Sequence, residues 1–269
     1  YTASKDENNL SGVGSDNNIE QASDYPIIKH AAFPIPPAPK GTPVPAGKVL
    51  GAAHHRAHAF RPPSIVNVSS MSFGSLSAPA VEALNRGVAA AGCLHWTGEG
   101  GISDHHRHGG ELVWQIGTGY FGCRDEHGDF SLDRALETVA SAPVRAIEVK
   151  LSQGAKAGLG GVVPAVKVTA EIAAIRGVPE GEACISPPHH RAFHDVDGLI
   201  DFVEQLAGAT GLPVGIKSAV GEQRFWDDLV DRMLARGEGP DFVTVDGGEG
   251  GTGASPFVFA DHVALPFRA

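Results

Sequence analysis

Two lysines stand where apolar runs end. Lys150 closes Ala-Ile-Glu-Val-Lys and Lys217 closes Pro-Val-Gly-Ile-Lys. A lysine at the end of a buried strand cannot stay desolvated without a partner. It reaches toward an anion or a polarised carbonyl, or it forms a structural salt bridge with an acid such as Glu99 or Asp246. Two such lysines on one rim favour the functional reading. The second signal is glycine. Asp246-Gly-Gly-Glu-Gly-Gly-Thr-Gly-Ala-Ser-Pro places five glycines between 247 and 253. Backbone N–H groups so freed can approach a ligand and form an anion-binding nest. No Gly-Lys-Ser/Thr follows, so the loop is not a Walker loop. Thr97-Gly-Glu-Gly-Gly and Gly154-Ala-Lys-Ala-Gly-Leu-Gly-Gly repeat the theme, and three such loops on one rim suit a large ligand.

Other chemistries are poorly supplied. Thirteen histidines include His105-His106-Arg107-His108 and His189-His190. Adjacent histidines lack the helical spacing of a zinc motif, so no metal site is assigned. There is no Gly-x-Ser-x-Gly elbow, and no cysteine lies beside a base. Cys93, Cys123 and Cys184 are odd in number and far apart. A disulfide framework is not expected, and a reducing compartment is the default.

The 269 residues carry 21 Lys+Arg against 31 Asp+Glu, a net charge of −10. That balance argues against a nucleic-acid partner. No apolar run approaches the roughly 18 to 20 residues of a bilayer span. The expected location is the cytoplasmic side, with a membrane anchor upstream of Tyr1 left open.

The elements that would position these residues follow from the apolar rhythm. Residues 1–62 read as a polar, then proline-rich arm or linker, extended around Phe33-Pro-Ile-Pro-Pro-Ala-Pro. Residues 63–269 read as a barrel domain. Strands are expected at Ile65–Ser69, Cys93–Thr97, Ala146–Leu151, Ala183–Ser186, Pro213–Lys217 and Phe242–Asp246. Helices are expected around Val81–Ala91 (with Ser77 as N-cap), Leu132–Ala140, Val168–Ile175, Leu199–Leu206 and Phe225–Leu234. Continuous apolar strands imply a parallel sheet. Reactive or glycine-rich residues at several strand ends favour a (β/α)8 barrel over a doubly wound sheet, because a barrel gathers all those ends on one rim.

The ordered motifs Ser70-Met-Ser-Phe-Gly-Ser-Leu-Ser, Thr97-Gly-Glu-Gly-Gly, Glu148-Val-Lys-Leu-Ser-Gln-Gly-Ala-Lys-Ala-Gly-Leu-Gly-Gly, Cys184-Ile-Ser-Pro-Pro-His-His and Asp246-Gly-Gly-Glu-Gly-Gly-Thr-Gly resemble the FMN-binding synthase domain of glutamate synthase. The stand-alone glutamate synthase-related branch is the best match. The resemblance implies a (β/α)8 TIM barrel with FMN on its C-terminal rim. It implies hydride transfer from reduced flavin to a 2-imino or 2-oxo carboxylate, which is 2-oxoglutarate plus ammonia in the family. On matching positions it assigns Lys150 and Glu99 to catalysis. It assigns Ser70, Met71, Ser72, Thr97, Lys217, Asp246, Gly247, Gly248, Gly250, Gly251 and Thr252 to the flavin. Gly74, Ser75, Gln153, Lys156 and Arg176 go to the substrate. An electron donor and an ammonia-supplying partner are implied. An iron–sulfur cluster would come only from sequence beyond Ala269.

Two departures stand out. The family run Lys-Pro-Gly-Glu-Gly-Gly-Gln reads here Lys156-Ala-Gly-Leu159-Gly-Gly-Val162. An acid and a substrate-contacting amide are thereby replaced by apolar groups. The alternative function is therefore a non-catalytic flavin- or ligand-binding barrel, serving as a subunit or sensor. A whole barrel takes about 250 residues, and only six strands are assignable, so the barrel is expected to be truncated after the sixth.

Overall fold

A computed structural model describes residues 45–249 without a break. It also describes 32, 33, 36, 39, 42, 252, 255, 256, 258, 259 and 262–267. The elements in chain order are α1 (Ala78–Ala91), β1 (Leu94–Trp96), β2 (Glu111–Ile116), α2 (Leu132–Ala140), β3 (Val144–Lys150) and β4 (Val162–Val163). There follow α3 (Ala170–Arg176), β5 (Cys184–Ile185), α4 (Val196–Thr210), β6 (Val214–Ala219), α5 (Gln223–Arg236) and β7 (Val243–Asp246). Five strands form one parallel sheet in the order β1-β2-β3-β6-β7.

Helix ends follow ordinary capping chemistry. Ser131, Thr169 and Asp195 each accept a backbone N–H of the first turn of α2, α3 and α4. Ser77 occupies the N-cap position of α1, yet its side chain makes no capping bond. Pro79 in that first turn lacks the N–H that would otherwise need a partner.

Alternation of side chains divides the sheet into two faces. Outward, Leu112, Trp114, Ile116, Ile147, Val149, Val214 and Ile216 pack beneath α2 and α4 with Ile200, Val203 and Leu206. Inward, the side chains form layers. Leu94, Val113 and Ala146 make the lowest layer, closed from below by Phe60. Residues 46–62 are tied to that end. Leu50 bridges Phe60 in antiparallel fashion, and the His58 N–H donates to the Gly211 carbonyl. Arg56 binds Glu204 and Asp241.

The next layer is polar. Trp96 Nε1, Gln115 Nε2 and Thr244 Oγ1 all donate to the carboxylate of Glu148, which is fully buried. Trp96 and Thr244 lie on β1 and β7, each two strands away from β3. Strands two apart in a flat sheet are about 10 Å apart. Their convergence on one carboxylate shows that the sheet curls strongly inward, as a barrel wall does.

Two strand expectations are corrected, and one strand is added. Ile65–Ser69 is not a strand. Only Val68 bridges the sheet, pairing with β1 through the Leu94 carbonyl and the Trp96 N–H. Ala183–Ser186 lies outside the parallel sheet, and its two strand residues pair antiparallel with β4. β2 was not expected at all. It follows β1 through a helix-free loop with one 3-10 turn at Asp104–His106, so the strand–helix rhythm skips it. The described parallel sheet thus has five strands and a one-residue bridge, rather than six strands. Of the expected arm, residues 1–31 lie outside the described residues.

Three histidines are buried in this framework. His95 and His106 lie with ring centroids 5.3 Å apart, and His190 sits on Tyr120. Burial pushes all three imidazoles down to about 4. They stay neutral in the folded chain while the unfolded chain begins to protonate near pH 6.5. Stability from these groups is therefore fully present above pH 6.5 and is lost as pH falls toward 4, by at most about 1.4 kcal/mol per histidine per pH unit. Urea midpoints should fall steadily between pH 7 and pH 5; a flat profile would contradict this burial.

Candidate active site

The C-terminal ends of the inner strands open into a cleft of about 290 Å³. Its roof is the segment from Ser70 to Leu76. Gly98 lets that segment lie against the end of β1. Gly98 has φ +71°, and a Cβ there would come within 2.4 Å of the Ser72 nitrogen, so only glycine fits. A second close approach joins the β3 and β7 loops. A Cβ on Gly154 would meet the Gly247 carbonyl, and the Gly154 N–H donates to Asp246 Oδ2 at 3.1 Å.

Most expected residues meet in the cleft. Ser70, Met71, Ser72 and Ser75 line it from the roof, and Glu99, Lys150 and Gln153 from the strand ends. Lys156, Arg176 and Thr252 complete that set. Lys150 Nζ donates to Glu99 Oε1 at 2.7 Å and to Gln153 Oε1 at 3.0 Å. Lys156 Nζ donates to the Gly160 carbonyl at 3.0 Å. Arg176 Nη2 donates to the Phe73 carbonyl at 3.0 Å, and its guanidinium lies over the Phe121 ring.

Other expected residues stand apart. Thr97 is fully buried; its hydroxyl donates to the Gly98 carbonyl and accepts from the Gln115 N–H. Lys217 lies in register with Lys150 on the adjacent strand and pairs with Asp246 at 3.3 Å. Neither Lys217, Asp246 nor Gly74 lines the cleft. The Gly248 N–H donates to the Leu265 carbonyl at 2.8 Å. The Glu249 carboxylate accepts from the Phe267 N–H, folding the chain back beside Gly247. Gly250 and Gly251 lie outside the described residues.

Charge in the cleft is unbalanced. Glu99 is its one lining carboxylate among the described residues, against Lys150, Lys156 and Arg176. Burial would raise the Glu99 pKa, but Lys150, with Lys156 and Arg176 behind it, holds the carboxyl below its ordinary value. Glu99 is therefore ionised. Burial lowers the Lys156 pKa, and Lys150 adds to that against the pull of Glu99. Lys156 and Arg176 are 3% and 4% exposed, and neither forms an ion pair within the described residues. The Arg176 Nε has no hydrogen-bond partner. A buried cation without a counter-charge is costly, so this arrangement favours an anionic ligand.

Two contributors were not expected. Gln115 lines the cleft and ties the roof to the polar layer, donating to Ser70 Oγ at 2.8 Å as well as to Glu148. Its signal was a lone polar residue within an apolar run, Leu-Val-Trp-Gln-Ile, but the strand carrying it went unseen. His190 Nε2 meets the Lys150 carbonyl at 2.9 Å and its Nδ1 meets the Tyr120 hydroxyl. That hydroxyl already accepts the N–H groups of Arg191 and Ala192. Its proton therefore points to Nδ1, and Nε2–H donates to Lys150.

Glu148→Ala should remove the shared acceptor of three donors at once, Gln115 buried and Trp96 and Thr244 partly buried. The expected cost is at least ~3 kcal/mol, with Glu148→Gln milder because one acceptor oxygen remains. Urea unfolding of the two variants checks this; equal stability of Glu148→Ala and the parent chain would contradict it.

Sequence comparison with known proteins identifies the family. The sequence profile of the conserved region in glutamate synthase matches residues 47–269. The "glutamate synthase large subunit-like protein YerD" of Bacillus subtilis is 42% identical over 205 residues, 75% of this chain and 39% of that protein. The "archaeal glutamate synthase (NADPH)" of Methanocaldococcus jannaschii is 35% identical over 206 residues, 76% of this chain and 37% of that protein. A glutamate synthase large subunit-like protein of Rhizobium meliloti is 35% identical, with 43% of its length covered. The chain thus spans about two-fifths of the length of these relatives. On the profile match and these identities, the chain belongs to the glutamate synthase family.

Proposed function

We propose that this chain is the flavin-holding barrel portion of an oxidoreductase that reduces a 2-imino or 2-oxo carboxylate, with 2-oxoglutarate plus ammonia as the family precedent. One observation carries the reading: among the described residues, Lys156 and Arg176 are buried cations with no direct ion-pair partner, in a cleft whose one carboxylate, Glu99, is already paired with Lys150.

The donor set suits FMN. Ser70 and the roof backbone face the cleft from above. Lys217, held by Asp246, supplies positive charge at the strand end where a reduced ring would be anionic. When bound, FMN supplies the hydride. The residues of this chain do the rest. Lys156 and Arg176 bind the substrate carboxylates and orient the acceptor carbon, since guanidinium and ammonium groups suit carboxylates. Lys150, hydrogen-bonded to ionised Glu99, holds a proton at Nζ and delivers it to the imine nitrogen. Burial of the cleft floor excludes water and strengthens these interactions. Val162 lines the cleft where the family carries an amide, which leaves an apolar wall at that end. The name of the archaeal relative includes NADPH, which supports a nicotinamide as the source of electrons. Among the described residues, no helix is long and apolar enough to cross a membrane.

The test is spectroscopic. The chain mixed with FMN should give a protein-bound flavin spectrum. Bleaching by a reductant should be reversed by 2-oxoglutarate plus ammonia. Lys217→Ala should bind FMN at least about 10-fold more weakly. Bleaching without recovery on any 2-oxo acid would favour the non-catalytic barrel, and the absence of any flavin binding would overturn both readings.

A further inference from the structure

A second pocket, of about 260 Å³, lies behind the cleft, between α2, α3 and the loops that follow β1 and β2. It shares one residue with the cleft, Arg176. Four arginines line it (Arg107, Arg124, Arg134 and Arg176) against one carboxylate, Glu137. Arg107 is already occupied by Asp104 and the Ser141 hydroxyl. Arg124 and Arg134 have no such partner among the described residues, and Arg176 donates to the Phe73 carbonyl at 3.0 Å and to Cys184 Sγ at 3.9 Å, with no carboxylate on it. No ion pair to Arg124, Arg134 or Arg176 exists within the described residues. The Nε atoms of Arg124 and Arg176 are both buried and without a hydrogen-bond partner. Arg176, at 4% exposure, is a buried charge. Its guanidinium and that of Arg124 lie on the same Phe121 ring, at 4.9 and 5.8 Å from its centroid.

A competing explanation is electrostatic trimming of helix ends. The last turns of α2 and α3 border the pocket, and helix C-termini favour cations. That would account for the arginines if they capped carbonyls. Neither Arg124 nor Arg134 donates a side-chain hydrogen bond to any described carbonyl. Like-charged guanidiniums gathered with unused donors are stabilised by an oxyanion, which accepts from several N–H groups at once. The pocket also lies away from the glycine loop that the resemblance assigns to the flavin. None of its lining comes from β6, β7 or the glycine loop after β7.

We propose that this pocket is a second oxyanion-binding site, taking a phosphate or carboxylate group, with Arg124 and Arg134 as principal ligands. The proposal is independent of the flavin reading. Because Arg176 forms the common wall, an anion bound here bears on the same guanidinium that faces the cleft.

Isothermal titration of the full chain with inorganic phosphate, glycerol phosphate and succinate tests it and separates phosphate from carboxylate sources. Apart from any binding that Lys156→Met abolishes, which belongs to the cleft, at least one should bind saturably at one per chain, weakening as salt is raised. Arg134→Met, at an exposed position, and Arg124→Met should each weaken that binding about 10-fold or more. Lys156→Met, which removes a cation of the cleft alone, should change it less than about twofold. Failure of all three anions to bind saturably would overturn the proposal. So would binding that survives both arginine variants and is lost in Lys156→Met. FMN need not be present, so loss of the flavin reading leaves this result standing.

Discussion

A single buried carboxylate organises the interior. Glu148 has no exposed surface and accepts from Trp96, Gln115 and Thr244. A lone acid in an apolar layer would be untenable, but three neutral donors from three other strands satisfy it. The consequences run in both directions along the barrel wall. The converging bonds hold β1, β2 and β7 at the curvature that lets Leu94, Val113, Ala146 and Phe60 close the lower layer. They also fix Gln115, whose amide reaches Ser70 and so sets the height of the cleft roof. The site is built one layer above this carboxylate, on the strand ends that it aligns.

That layering explains how the two lysines share one origin yet serve different places. Lys150 and Lys217 are register partners on adjacent strands. Like charges at that spacing repel, and each is offset by its own acid, Glu99 and Asp246. The salt-bridge and functional readings of these lysines are therefore not exclusive. Among the described residues, one carboxylate, Glu99, faces three cations, Lys150, Lys156 and Arg176, and it pairs directly with Lys150 alone; this surplus makes the cleft receptive to anions. The cost of keeping two cations buried is borne by the packing of β3, α3 and the roof around them, a common trade at binding sites.

The parts legible in the sequence were those whose signal is local. Apolar runs ending in Lys150, Lys217 and Asp246 marked three strands correctly, and helical periodicity found the five α-helices of the described residues. What escaped was set by longer-range pairing. β2 is joined to β1 without an intervening helix, so the alternation that revealed the other strands concealed it, and Gln115 with it. Cys184–Ile185 carries strand-like residues but pairs with Val162–Val163 outside the main sheet, a choice that composition cannot express. Ile65 and Val66 are apolar and β-branched, yet are 64% and 72% exposed, because only Val68 reaches the β1 edge. The glycine loop after Asp246 suggested free amides. In the structure the Gly248 amide is used by Leu265, a contact between residues 17 apart that no spacing rule reveals.

The central claim is that the cleft's two buried, uncompensated cations are there to receive a carboxylate-bearing substrate. Calorimetric titration of 2-oxoglutarate into the FMN-loaded chain tests it most directly, with Lys156→Met and Arg176→Met alongside. Saturable binding is expected, and each variant should weaken it about 10-fold or more. Equal affinity in the parent chain and both variants would contradict it.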